Sequence, residues 1–434
     1  MAEVASPDRK IKVNTNGIIG LKHIMSSSEN LEEKTFLARI EMMNERIQMA
    51  KDQDVYPYMH SSDAVQGVHV TIQGRSMLQF ASYSYLDLLG HPKINAAAKK
   101  AIDEFGTGTH GVRFLTGTTR LHVELEKTIA AFKHTEDAVA VATGYAANFG
   151  TLAALLGRND VVISDKLNHA SIVDGCLLSR SHFVRFEHND MAALQKSLGE
   201  APKKAFKLVV TDAVFSMDGD IVNLPDMIRI CKEFNATLMI DEAHSLGVLG
   251  EKGTGIEEHF GIDPEEGLID IKMGTLSKTI PSIGGYIAGS SKLVNYLKHS
   301  IRPFIFSAAI PPASAAAARA AFEVMEEEPW RVIKLRENTA HFLKALQSRG
   351  FNTLNSQTPI VPIIIGNESK ALEMTRLSRE EGVFIVPILP PAVPPNTARI
   401  RATVTAGHTS DEIERAAILF EKLARSLEVP LRKS

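Results

Sequence analysis

A chain of 434 residues exceeds the size at which one hydrophobic core stops growing, so two domains are expected. Composition is that of a globular protein, 44% hydrophobic and 23% charged, and a formal net charge of -3 argues against nucleic acid or an anionic membrane as partner. The two cysteines, Cys176 and Cys231, lie in apolar runs with no CxxC or Cys/His cluster, which sets aside a disulfide scaffold and a metal site and fits a reducing cytoplasm.

The first 28 residues or so are polar and aperiodic, without the charged-then-apolar layout of a secretory signal. No stretch approaches the ~20 apolar residues of a membrane span. Between Asn30 and Asp52, Leu31, Phe36, Leu37, Ile40, Met43 and Ile47 recur at helical spacing. Residues 68–72 and 77–80 flank Gln73-Gly74-Arg75 as a strand pair. Residues 1–89 thus read as an N-terminal arm with a helix and a hairpin. From 90 to 330 short apolar strands (138–142, 161–164, 183–186, 208–212, 237–241, 269–274) alternate with helical stretches (120–132, 144–156, 191–198, 225–233). That alternation predicts an α/β fold with a mainly parallel, doubly wound sheet. The alanine-rich run 307–324, with its Pro-Pro step, reads as a buried loop and helix. Residues 331–434 read as a smaller α+β domain, with helices at 331–349, 371–381 and from Ser410, and strands at 360–365, 383–386 and 399–404.

Ligands of parallel α/β sheets collect beyond the carboxyl ends of the strands. After 138–142 comes Thr143-Gly144-Tyr145-Ala146-Ala147-Asn148, opening a helix. Free N–H groups and the positive end of the dipole suit a phosphate there, although a small-residue helix start is common. After 237–240 comes Asp241-Glu242-Ala243-His244-Ser245, whose acid and histidine, taken alone, read first as a core hydrogen-bond pair. After 269–273 comes Gly274-Thr275-Leu276-Ser277-Lys278. A lone lysine after a strand is ordinarily a solvated charge, but the apolar run that follows can desolvate this one into a nucleophilic amine. A phosphate cradle, a carboxylate and a secluded lysine are the parts that pyridoxal phosphate (PLP) requires.

Residues 83 to about 421 resemble the α-oxoamine synthase family of fold-type-I PLP enzymes. That family includes 8-amino-7-oxononanoate synthase, 2-amino-3-ketobutyrate ligase, 5-aminolevulinate synthase and serine palmitoyltransferase. The resemblance rests on SYLDLLGHP (84–92), GTGTHGVRFLTGTTRLHVELE (106–126), TGYAAN (143–148), DKLNHASIVDG (165–175) and FSMDGDIVNL (215–224). It continues through DEAHSLGVLGEKGTG (241–255), GTLSKTIPSIGGY (274–286), FIFSAAIPP (304–312) and RIRATVTAGHT (399–409). It implies the PLP-dependent transferase fold type I, with a large PLP-binding α/β domain (90–330) and a smaller C-terminal α+β domain (331–434). It also implies decarboxylative condensation of glycine, alanine or serine with an acyl-CoA or acyl-carrier-protein thioester, giving an α-amino ketone. An aminotransferase or decarboxylase on the same fold, or a non-catalytic partner subunit lacking the lysine, are the competing readings. A homodimer with active sites at its interface is the implied assembly.

Residue by residue, the resemblance makes Lys278 the Schiff-base lysine and Asp241 the partner of the pyridine nitrogen. His244 would meet the cofactor's phenolic oxygen, near Ser216, and His169 would stack on the ring and help orient the substrate carboxylate. Gly144 and Tyr145 would give N–H groups to the phosphate; Thr275 its hydroxyl, with Ser277 beside it in the cofactor-binding run. Arg401 would clamp the amino-acid carboxylate. Three departures stand out: Ser84 replaces the family's usual asparagine, Ser307-Ala308 its Ser-Thr or Thr-Thr step, and Leu389 an arginine of several relatives. The Ser307 segment generally reaches the phosphate of the neighbouring subunit. Arg113 reads either as a substrate-binding wall residue against an acyl chain or as a paired charge. His110 and His122 read as structural or as site walls; His188 and His408 read as structural.

Overall fold

Short apolar runs separated by helices can bury both faces only inside a layered sheet. The structure, a computed structural model, describes residues 35–432. The polar lead and the opening of the helix expected from Asn30 lie outside the described residues.

The chain begins with α1 (Phe36–Asp52), β1 (Ala64–Gln66), β2 (His69–Ile72) and β3 (Arg75–Gln79). Next come α2 (Pro92–Phe105), α3 (Arg120–Phe132), β4 (Asp137–Val141), α4 (Gly144–Leu155), β5 (Val161–Asp165), α5 (Ala170–Ser179), β6 (His182–Phe186) and α6 (Met191–Glu200). They are followed by β7 (Lys207–Asp212), α7 (Leu224–Glu233), β8 (Thr237–Asp241), α8 (Ile256–His259), β9 (Ile271–Thr275) and β10 (Gly285–Gly289). Then α9 (Ser291–Ser300), α10 (Arg302–Phe306) and α11 (Pro312–Glu327) lead to α12 (Trp330–Gln347). The chain closes with β11 (Ile360–Gly366), α13 (Glu368–Glu380), β12 (Val383–Phe384), β13 (Pro387–Ile388), β14 (Ala398–Thr403) and α14 (Ser410–Ser426).

The large sheet has the order β4-β10-β9-β8-β7-β5-β6. All neighbours from β9 to β6 are parallel, and β10 is antiparallel to both β4 and β9. All six residues of β7 are buried, as expected of a strand covered on both faces. Side chains alternate between the layers. Ala138 and Ala140 pack with Leu125 of α3, Met227 of α7 and Phe322 of α11. Val139 and Val141 pack with Leu152 of α4, Ile172 of α5 and Leu297 of α9. Both cysteines are free and buried, and burial pushes each thiol up to about 12, so they are inert packing groups.

The expected strands of this sheet appear within two residues of their predicted ends, but β10 is an addition. The run after Lys278 reads in sequence as apolar packing around the lysine; its end, Gly285-Tyr286, instead opens an internal strand that continues to Gly289. β9 and β10 are joined without a crossover helix, which is why β10 runs antiparallel.

The N-terminal elements do not stand apart as an arm. β1, β2 and β3 form a sheet with β12, which lies parallel to β3, while β11, β14 and β13 form a separate antiparallel sheet. Val55, Leu78 and Phe80 share one apolar cluster with Phe342, Ile363 and Phe420. Leu389 is buried in that cluster, so it faces core at the point where relatives carry arginine. Among the described residues, no helix is long and apolar enough to cross a membrane.

Candidate active site

The carboxyl ends of β4, β5, β7, β8 and β9 surround a cavity of about 240 Å³. Into it come Gly144 and Tyr145, His169, Ser216, Asp241, His244, Thr275, Ser277 and Lys278, nine of the residues singled out in the sequence.

At one end, α4 presents its N-terminus. Thr143 caps it: its Oγ1 takes the Ala146 N–H and its carbonyl the Ala147 N–H. The N–H groups of Gly144 and Tyr145 precede the first helical bond and are available to an anion. A Cβ on Gly144 would come within 2.8 Å of Thr275 Oγ1, so only glycine lets this helix start close against β9. Thr275 Oγ1 lies 2.9 Å from Ser277 Oγ, which puts two hydroxyls at the same end. The Tyr145 ring is exposed and its hydroxyl donates to Asp174.

At the other end stand a lysine, a histidine and two carboxylates. Desolvation pushes the Lys278 amine down to about 8, against Asp241 and Asp212, which raise it, and with Arg401 lowering it further. Its Nζ is 2.6 Å from His244 Nε2, and His244 Nδ1 is 2.7 Å from the Tyr85 hydroxyl. Burial, then the charge of Lys278, hold His244 well below the ordinary histidine range, so its ring is neutral. Asp241 closes β8; its Oδ2 accepts from Asn148 Nδ2 at 2.7 Å and its Oδ1 from the Ala243 N–H at 2.8 Å. Asp212 pairs with Asp241 across β7 and β8. Burial and then the Asp241 charge push Asp212 well above the carboxylate range. Asp212 Oδ2 also accepts the His169 N–H at 2.8 Å. His169 is the N-cap of α5, with Nδ1 2.8 Å from Ser171 Oγ; desolvation lowers its pKa.

These groups fit PLP. An anion cradle lies at one end, and at the other a desolvated amine, a carboxylate for a ring nitrogen and a neutral histidine.

Other expected site residues lie outside the cavity wall. Arg401 on β14 stacks over Tyr83, its guanidinium carbon 4.9 Å from the ring centre, and donates to the Tyr83 hydroxyl. The other side of that relationship is Lys278, whose Nζ is 5.8 Å from the same ring centre. Ser84 follows Tyr83 with its Oγ buried and unpartnered. Ser307 is exposed at the end of α10, next to the bridge between Val112 and Ala308.

Of the two readings of Arg113, the structure shows the paired charge. Its guanidinium is buried and makes two bonds to Glu126, at 2.8 and 3.1 Å, and others to Thr118 and the Ala140 carbonyl. Four of its five N–H donors are engaged in this way, and the guanidinium carbon lies 5.0 Å from the centre of the Phe304 ring. His122 bonds the Ile310 carbonyl and closes a capping box, and His408 bonds the Gln79 carbonyl and stacks on Phe80; both are structural.

The sequence reading passed over Asp212, Asn148, Tyr83 and Tyr85. Asp212 ends a strand that was expected, and the strand-end rule that found Asp241 applies to it equally. Asn148 sits four residues after Gly144 on one helix face, a spacing that brings it back to the cavity.

Residues 75–418 match the family described as aminotransferase class I and II. The chain is 42% identical over 391 residues to an 8-amino-7-oxononanoate synthase of Thermoanaerobacter pseudethanolicus, covering 90% of this chain and 98% of that one. It is also 42% identical over 377 residues to a serine palmitoyltransferase of Bacteroides ovatus, covering 87% and 95%. Among solved structures, a serine palmitoyltransferase from S. paucimobilis with a bound PLP–myriocin adduct superposes with a TM-score of 0.87 at 31% identity, covering 92% of this chain and 100% of that one.

Proposed function

The chain belongs to the α-oxoamine synthases within the class I and II aminotransferase family, enzymes that depend on PLP, and we propose that it joins a small amino acid to an acyl thioester. The amino acid is glycine, alanine or serine; the donor is an acyl-CoA or an acyl-carrier protein; the product is an α-amino ketone. The observation that carries this reading is the Lys278 amine, desolvated and pushed down to about 8, facing the neutral His244 in a cavity backed by the carboxylates Asp241 and Asp212.

Bound PLP supplies an electron sink for the charge left on the amino acid's α-carbon. Lys278 would hold the cofactor through its amine, Asp241 would keep the ring nitrogen protonated, and His244 would meet the phenolic oxygen beside Ser216. The N–H groups of Gly144 and Tyr145 and the hydroxyls of Thr275 and Ser277 would hold the phosphate. Ser307 would contribute from the partner copy of a cytoplasmic homodimer.

The Lys278 amine would also take the α-proton, a task suited to an amine near neutrality. His169 covers the cavity and orients the substrate, and Arg401 turns from the Tyr83 hydroxyl to clamp the carboxylate with its planar fork. The α-carbon forms a bond to the thioester carbonyl carbon as the carbon–sulfur bond breaks and the thiolate leaves. Loss of carbon dioxide and return of one proton to the α-carbon complete the product. Ser84, smaller than the family's asparagine, keeps a buried and unpartnered hydroxyl next to Tyr83.

Visible absorption of the purified protein tests the reading. One of glycine, L-alanine and L-serine is expected to perturb the cofactor band, and long-chain acyl-CoA to change it again. A protein colourless after PLP addition, or a band indifferent to all three amino acids, contradicts it. Conversion of PLP to pyridoxamine phosphate by an amino acid alone would instead identify an aminotransferase.

A further inference from the structure

Asn148 is 1% exposed, with its amide nitrogen 2.7 Å from Asp241 Oδ2 and 2.9 Å from Ser171 Oγ. The carboxylate settles which way the amide faces, because Oδ1 turned toward Asp241 would oppose two acceptors with no hydrogen between them. Both amide hydrogens are therefore committed, one to Asp241 and one to Ser171. Oδ1 is left buried without a partner, so the orientation is dictated by the donors and not by the acceptor. Ser171 Oγ accepts from Asn148 and has a single hydrogen of its own to give. His169 Nδ1 is 2.8 Å away and takes it. The Ser171 backbone N–H approaches the same nitrogen at 3.3 Å. A ring nitrogen that receives hydrogens carries none, so the neutral His169 ring has its proton on Nε2.

We propose that Asn148 and Ser171 are positioning residues, forming with Asp241 and His169 one hydrogen-bonded chain that locks His169 in its Nε2–H tautomer. His169 then offers a donor at Nε2 and cannot act as a base through that nitrogen, while the lone pair of Nδ1 is taken up by the Ser171 donors. A donor is what an amino-acid carboxylate requires, and what a general base would lack. The same amide fixes a lone pair of Asp241, so the acid behind the ring nitrogen and the imidazole over the ring are set together. Asp212 adds an independent hold, through the His169 backbone N–H. Desolvation of the ring favours its neutral form, in keeping with a tautomer and against an imidazolium. The consequence for substrate rests on the proposed function; the tautomer does not, and it is measured without turnover.

Holoenzyme labelled with 15N-histidine reports the tautomer from the separation of the two ring-nitrogen shifts, with His169→Asn identifying the resonance. The wild type is expected to show His169 protonated on Nε2 and bare at Nδ1. Ser171→Ala and Asn148→Ala are expected to blur that signature toward a mixture, and Ser171→Thr, which keeps the hydroxyl, to restore it. In the condensation assay Ser171→Ala is expected to raise KM for the amino acid about tenfold, with a smaller change in kcat. A proton found on Nδ1 in the wild type would overturn the proposal. So would a tautomer unchanged in both alanine variants, which would leave Asn148 with a packing role alone.

Discussion

Burial works on neighbouring charges in opposite ways around this cavity, and single side chains carry the result. Lys278, pushed down to about 8, is neutral well below the pH at which an ordinary lysine with a value of 10.5 would be. Capture of PLP needs the neutral amine, so the rate at which cofactor-free protein takes up PLP is expected to rise through about pH 8 and then level off. Stopped-flow absorbance between pH 6 and 10 measures this, and a rate still climbing tenfold per pH unit above 9 would mean an unperturbed lysine. Arg113 shows the converse case of a charge fully consumed by structure. Its side chain is 5% exposed and that of Glu126 6%, and removing one partner strands the other. Arg113→Ala is expected to cost about 3–5 kcal/mol in urea unfolding while leaving KM for either substrate within about twofold. A raised KM for the thioester without loss of stability would return Arg113 to the acyl-chain wall.

Several site residues, His169, Ser216, His244 and Lys278 among them, stand on loops between elements, and one histidine ties two of these loops together. His188 lies 3.1 Å from Asp165, which opens the loop to His169, and 2.9 Å from Asp220, in the loop that holds Ser216. Desolvation lowers its pKa, but the bonds to Asp165 and Asp220 outweigh that and raise it from 6.5 to about 10. His188 and Asp220, with Asp218, form a group of possible metal ligands, but Asp165 and Arg399 already engage His188 and Asp218. A raised histidine stabilises the fold fully below about pH 6.5 and loses that contribution as pH climbs through about 10. The Tm gap between wild type and His188→Gln is therefore expected to narrow from pH 6 to pH 10 by differential scanning fluorimetry; a constant gap would mean an uncharged ring. Element-level features differ in how legible they are. α3 and β8 announce themselves by periodicity and length, whereas α5 begins on a histidine cap outside the usual Ser, Thr, Asp and Asn set, and so lacks a start signal. β10 is five residues bounded by glycines, and its identity comes from burial between β4 and β9, a long-range fact.

At the scale of the whole molecule, strand β12 comes from residue 383 and joins the hairpin of residues 64–79, so the two ends of the chain build one body. Sequence periodicity reports each end separately and is silent on their pairing, which is why the N-terminal segment reads as an arm. The fold class and most cavity residues were legible because strand ends in a parallel sheet converge by construction. The setting of Arg113 was not, since it depends on a partner 13 residues away, and Asp212, legible as a strand end, has its pairing with Asp241 only through the register of two strands. Phe114, Leu115 and Phe306 are exposed apolar side chains on segments joined by the Val112–Ala308 bridge, beside Ser307. Such a patch suits coverage by a second copy. Light scattering is expected to give about twice the chain mass of 47.4 kDa, and a monomer with full activity would leave Ser307 without a role. The central claim, condensation of an amino acid with an acyl thioester, is tested most directly by free-thiol release from long-chain acyl-CoA and from acyl-carrier protein, with glycine, L-alanine or L-serine. Thiol release that requires one of these amino acids, requires PLP and disappears in Lys278→Ala is the predicted result. No amino-acid-dependent release from either donor by PLP-loaded protein would contradict it.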